Sequence, residues 1–189
     1  MNRIDAKFKE LKDEKKKAFI SYITAGDPDM KTSEKIVQAL AKCGADIIEL
    51  GIPFSDPLAD GPTIQKASER SIKSGFTVKK AMSMVNRLRK EVEVPFVFMT
   101  YYNIVLNYGV RSFVKDSKKV GVDGLIIPDL PMEESGEMMK ICEEEDFSLI
   151  MLTAPTTPLG RFRKIAARSK GFVYHVSLTG VTGARKEVS

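Results

Sequence analysis

Three acids fall within one short segment, Glu49-Leu50-Gly51-Ile52-Pro53-Phe54-Ser55-Asp56-Pro57-Leu58-Ala59-Asp60. Glu49 closes an apolar run, Ala45-Asp46-Ile47-Ile48-Glu49-Leu50, that reads as a buried strand, and burial disfavours a carboxylate and raises its pKa. Asp56 and Asp60 lie in the Gly- and Pro-rich loop that follows, ahead of a helix beginning at Thr63-Ile64-Gln65. An acid on a strand end facing an acid on the next loop keeps two carboxyls in different environments, which separates their pKa values and assigns their roles. The pattern predicts acid–base chemistry, with the Glu49 pKa raised. The plainer alternative is structural, with the loop acid serving as a helix cap.

Six apolar runs supply the frame: Ala18–Ile23, Asp46–Leu50, Val94–Met99, Gly124–Pro128, Ser148–Leu152 and Phe172–Val176. They are continuous rather than alternating, as in parallel strands covered on both faces. Helical patterns fill the intervals. Thr32 or Ser33 is the expected cap of a helix with Ile36, Val37, Leu40 and Ala41 on its core face. Val78, Ala81, Met82, Val85 and Leu88 mark another helix, Met138, Ile141 and Cys142 a third, and Phe162, Ile165 and Ala166 a fourth. The second and third strands are about twice as far apart as the others, leaving room for an extra helix. Strand–helix alternation predicts a parallel α/β architecture.

Polar groups follow the strand ends, as in Thr24-Ala25-Gly26-Asp27, Thr100-Tyr101-Tyr102-Asn103, Asp129-Leu130-Pro131, Thr153-Ala154-Pro155 and Thr179-Gly180-Val181-Thr182-Gly183. A functional face made of successive βα loops is the habit of the (β/α)8 barrel, which needs eight units and typically about 250 residues. The 189 residues hold six units. A doubly wound open sheet also fits six strands, but no dinucleotide fingerprint follows the first.

Composition narrows the function. A net charge of +5 invites a nucleic-acid reading, yet the lysines are scattered or interleaved with acids. In Lys7–Lys17 they share an amphipathic helix with Ile4, Phe8 and Leu11, and no basic stripe with stacking aromatics is visible. No apolar run approaches the roughly 20 residues of a membrane span. The N-terminus has neither the apolar core of a secretory signal nor the acid-poor character of a transit peptide, so cytoplasmic placement is expected. Cys43 and Cys142, far apart and on apolar helix faces, read as buried small hydrophobes, and one histidine, His175, completes no zinc ligand set.

The loop motifs resemble those of the tryptophan synthase alpha-chain family. They are Tyr22-Ile23-Thr24-Ala25-Gly26-Asp27-Pro28, the stretch from Glu49 to Gln65, Met99-Thr100-Tyr101-Tyr102-Asn103, Pro128-Asp129-Leu130-Pro131 and Gly180-Val181-Thr182-Gly183. The resemblance covers nearly the whole chain and implies a single (β/α)8-barrel domain over residues 1–189 that lacks the family's seventh and eighth strands. It also implies cleavage of indole-3-glycerol phosphate to indole and glyceraldehyde-3-phosphate. Glu49, raised by burial, is then the general acid–base, and Asp60, ionised on its loop, the carboxylate at the indole nitrogen. Phe19 or Tyr22, with Tyr101, Ile127 and Tyr174, are expected to wall the indole slot. Thr182 and Gly183 belong to the loop that closes over the substrate; where the family tends to carry an arginine before that loop, Leu178-Thr179 stands here.

Asp56, Pro57, Asn103 and Pro131 match loops facing a beta chain, with which an α2β2 assembly is expected. Pyridoxal phosphate belongs to that partner, and this chain is expected to need no cofactor or metal. Substrate phosphate is held in the family largely by loops after the seventh and eighth strands, so a non-catalytic fragment or beta-chain-binding module is the alternative. A Schiff-base aldolase would need a lysine on a strand, and none of the six runs carries one.

Overall fold

The computed structural model describes residues 2–177. Its elements run α1 (Arg3–Asp13), β1 (Ile20–Thr24), α2 (Met30–Lys42), β2 (Ile47–Gly51), α3 (Pro62–Lys73), α4 (Val78–Leu88) and β3 (Phe96–Met99). There follow α5 (Tyr102–Tyr108), α6 (Val110–Val120), β4 (Gly124–Ile126), α7 (Gly136–Glu144), β5 (Ser148–Thr153), α8 (Leu159–Arg168) and β6 (Val173–His175). The strands are parallel and pair in chain order, from β1 to β6. The result is a half-barrel of the (β/α)8 type, with β1 and β6 at its two edges among the described residues.

Side-chain alternation sorts each strand into two layers. Outward residues such as Ile48, Leu50, Phe96, Phe98, Leu125 and Leu149 are buried against Val37, Met84, Val85, Leu88, Phe113, Val114, Met138 and Ile141 of the helices. Inward residues Ile47, Val97, Ile126 and Ile150 pack around Ile4 of α1. The N-terminal helix thus floors the barrel. Its start is set by Asn2, whose side chain accepts the Ile4 N–H at 2.9 Å. Gly124 keeps the floor open, because a Cβ there would lie 2.9 Å from the Ser148 carbonyl oxygen and 3.0 Å from the tip of Ile4.

The underside of the sheet is tied by one buried acid. Asp123, just ahead of β4, accepts from Arg89 Nη2 at 2.6 Å, Arg3 Nη1 at 2.8 Å and the Phe96 N–H at 2.9 Å. Arg89 also donates to the carbonyls of Gly121, Val92 and Val94, and its guanidinium lies 4.0 Å from the centre of the Phe96 ring. Burial lowers the Arg89 pKa to about 10, with Asp123 opposing the shift.

Several expectations shift. The cap of α2 is Asp29, whose carboxylate accepts from the Thr32 N–H at 2.9 Å and from the Thr32 hydroxyl. Neither Thr32 nor Ser33 caps the helix; Ser33 is buried inside it and accepts from the Gly26 N–H. Ile36 turns outward and is exposed. Cys43, at the C-terminal cap of α2, is exposed rather than buried, whereas Cys142 is buried as expected. The wide interval between β2 and β3 does hold two helices, α3 and α4. The pair α5 and α6, joined at Gly109 with φ 91°, was not anticipated. It places Asn103 on a helix rather than in a loop.

Candidate active site

Glu49 occupies the C-terminal half of β2 on the inward face, paired in register with Tyr22 of β1 and Val97 of β3. It is 4 % exposed. Burial raises its pKa to about 7, and no cation or hydrogen bond among the described residues opposes the rise. A carboxyl so placed holds a proton near neutral pH and gives it up readily, which is what an acid–base group needs.

Tyr22 is held beside it by a fitted gap. Gly51 follows Glu49 on the same face, and a Cβ there would sit 2.1 Å from the Tyr22 hydroxyl oxygen. Glycine is therefore a steric requirement: the phenol lies over the bare backbone of β2 and hydrogen-bonds Thr24. Burial pushes the Tyr22 phenol up to about 12, Thr24 opposes this, and the charges of Asp60 and Glu49 raise it further. Both carboxyls therefore act on one phenol.

Asp60 comes from the loop between β2 and α3 and is half-buried. Burial raises its pKa, and a hydrogen bond from the Tyr101 hydroxyl counters the rise. The same hydroxyl accepts the Ala59 N–H at 3.0 Å. Tyr101 therefore clamps the acid and its preceding peptide, while its ring packs on Phe54 with centroids 5.2 Å apart. Burial first, then the Asp60 charge and bond, hold the Tyr101 phenol up at about 12. Gln65, on the first turn of α3, donates to the Asp60 carbonyl at 2.8 Å. Both acids are thus raised, Glu49 without opposition and Asp60 against the Tyr101 bond, which is a smaller contrast than one raised and one plainly ionised group.

Tyr174 of β6 joins the inner layer; burial raises its pKa, and the Glu49 charge adds to this. Glu49, Asp60, Tyr22, Tyr101 and Tyr174 are thereby brought to one end of the barrel. Two slot residues are not. Phe19 precedes β1 at the strand's N-terminal end and is 58 % exposed, with its N–H on Asp46. Of the pair Phe19 or Tyr22, only Tyr22 faces the acids. Ile127 lies in the helix-side layer with Leu125 and Leu149, because Gly124 and Ile126 take the inward positions of that strand. Pro128, one residue on, lines the cavity with Tyr22, Asp60 and Tyr101. Thr182 and Gly183 lie outside the described residues.

Asp56, Asn103 and Pro131 are exposed and Pro57 is partly so. All four follow strand C-termini, and Leu58 among them is 82 % exposed. Two other acids of the strand-end motifs have structural partners: Asp27 pairs with Arg70 at 2.8 Å, and Asp129 accepts the Tyr102 N–H that opens α5. Thr100, Ser68 and Met99, which border the cavity beside Asp60, were not singled out from sequence. Thr100 was legible only as one polar residue after a strand.

Comparison with known proteins places this geometry. Residues 8–189 match the family model described as tryptophan synthase alpha chain. The tryptophan synthase alpha chain of Caldanaerobacter subterraneus is 54 % identical over 189 residues, covering 100 % of this chain and 72 % of that protein. That of Geobacter sulfurreducens is 49 % identical over 188 residues, covering 71 % of its length. Among solved structures, Mycobacterium tuberculosis tryptophan synthase superposes with a TM-score of 0.92 at 38 % identity, over 98 % of this chain and 72 % of the other. The Legionella pneumophila alpha chain gives 0.90 at 39 % identity, over 94 % and 67 %. Sequence and fold agree: this chain belongs to the tryptophan synthase alpha-chain family, lyases of tryptophan biosynthesis.

Proposed function

We propose that this chain cleaves indole-3-glycerol phosphate to indole and glyceraldehyde-3-phosphate, with Glu49 as general acid–base and Asp60 at the indole nitrogen. The observation that carries the reading is an inward-facing, buried Glu49 with a pKa of about 7, acting on the same phenol as Asp60.

The chemistry follows from the bond to be broken. Protonated Glu49 delivers its proton to the ring carbon that bears the glycerol side chain, and the ring nitrogen becomes cationic. Asp60, held by Tyr101, stabilises that cation. The Glu49 carboxylate then takes the proton of the adjacent side-chain hydroxyl. The oxygen's electrons form the aldehyde carbonyl, the carbon–carbon bond breaks, and its electron pair neutralises the ring to indole. Glu49 ends protonated as it began. Positioned proton transfer of this kind contributes roughly 10² to 10⁴ in rate. Tyr22 and Tyr174 stay neutral throughout and wall the slot.

The exposed strand-end loops with Asp56, Pro57, Asn103, Pro131 and Leu58 form the surface on which a beta chain would dock. A solved relative from Pyrococcus furiosus is described as a tryptophan synthase complex. The loop between Glu49 and Asp60 belongs to this surface, so docking reaches Asp60 directly. The partner carries the pyridoxal phosphate, this chain works without a cofactor, and the pair acts in the cytoplasm. The test is indole release from indole-3-glycerol phosphate, with and without beta chain. Release that Asp60→Asn abolishes is the expected result. No release under either condition favours a beta-chain-binding module instead.

A further inference from the structure

Buried hydroxyls in folded proteins nearly always have a hydrogen-bond partner. Thr100, one residue past β3 and 2 % exposed, has a buried Oγ1 with none among the described residues. Ser21 and Ser117 share that state, but Thr100 borders the cavity beside Asp60. That cavity is lined by Tyr22, Asp60, Ser68, Thr100 and Tyr101 with the apolar Ile52, Met99 and Pro128. It offers about 10 Å³ of room for a water centre, close to the minimum that one water needs. Its wall also supplies the two to four polar groups that hold a buried water.

We propose that Thr100 is a positioning residue for Asp60, acting through a single water held between its hydroxyl and the Asp60 carboxyl. The assignment deepens the proposed lyase reading, since it concerns the acid placed at the indole nitrogen. Asp60 is unlike Glu49 in taking a hydrogen bond from the protein, that of Tyr101. A water anchored on Thr100 adds a second donor, and each donor to a carboxylate favours its charged form. The two together keep Asp60 anionic and fix the direction its oxygens face, as a group opposing a ring cation must be. The titratable groups that face Asp60 are the phenols of Tyr22 and Tyr101, each held at about 12. Neither changes charge while Asp60 titrates, so a shift in its midpoint reports hydrogen bonding.

The test is the titration of the Asp60 side-chain carboxyl, followed by carbon NMR and assigned with Asp60→Asn, in the parent chain, Thr100→Val and Thr100→Ser. Thr100→Val keeps the shape, removes the hydroxyl and is expected to raise the Asp60 midpoint by about one pH unit. Thr100→Ser restores the hydroxyl and the parent midpoint. If Thr100→Val does not fold, Thr100→Ala carries the same expectation. A midpoint that stays put on loss of the hydroxyl overturns the proposal, as does one that rises equally in Thr100→Ser. The readout needs no turnover. A shifted midpoint in a chain that releases no indole would defeat the lyase reading and leave the water site standing.

Discussion

The two ends of the half-barrel each bury an acid, and they treat it in opposite ways. At the underside Asp123, 1 % exposed, is saturated by two guanidiniums and a backbone N–H. At the upper end Glu49, 4 % exposed, has no such partner among the described residues, and its pKa rises to about 7. Similar burial gives a structural clasp in one place and an unpartnered carboxyl with a raised pKa in the other. Burial alone therefore does not set how an acid behaves; the supply of partners does.

The largest test of that contrast is Asp123→Ala. Removing one side of a buried, hydrogen-bonded ion pair leaves Arg89 uncompensated and is expected to cost about 3 to 5 kcal/mol, read from urea denaturation. Glu49→Gln should do the reverse at high pH. The unfolded-state value is 4.5 and the folded one about 7, so the folded chain keeps this proton to higher pH. Ionising Glu49 in place then costs stability progressively between those values, reaching about 3 kcal/mol above pH 7. Glu49→Gln is expected to be more stable than the parent at pH 8 and equal to it at pH 4. Loss of stability at pH 8 would erase the distinction between the two ends.

Smaller effects sharpen the upper end. Gly51→Ala forces a Cβ into the Tyr22 hydroxyl and is expected to cost about 1 to 3 kcal/mol. Tyr22→Phe in the same background should recover part of it, by relieving the clash. Tyr101→Phe removes the bond to Asp60 and leaves the Ala59 N–H without its acceptor, at about 1 kcal/mol. The Asp60 carboxyl is then expected to titrate higher, because the hydrogen bond that opposed its rise is gone. Phe19→Ala should change stability by no more than about 0.5 kcal/mol and leave the substrate KM untouched, since the residue is exposed at the strand's far end.

The sequence alone carried the six strands, their parallel order and the burial of Glu49 on the second of them, because these rest on local signals. A continuous apolar run, a glycine before a turn and an acid at a strand end are all visible within a few residues. Family motifs then set the expected roles. Pattern was silent where the deciding partner is distant in the chain. Ile127 fell on the helix side because strand parity runs from Gly124 and Ile126, and the end of that strand could not be located to one residue. Phe19 fell outside because β1 begins at Ile20. Asp29 displaced Thr32 and Ser33 as a cap because the helix starts earlier than its apolar stripe.

Only the tertiary structure decided which acid is clasped by cations and which is buried without them. Asp123 meets Arg89 from 34 residues away and Arg3 from 120, Asp60 meets Tyr101 across the βα loops, and Gly51 makes room for a phenol carried on another strand. A residue's type and neighbours along the chain set what it can do. Its partners across the barrel set its charge, and those partners exist only once the strands are in register.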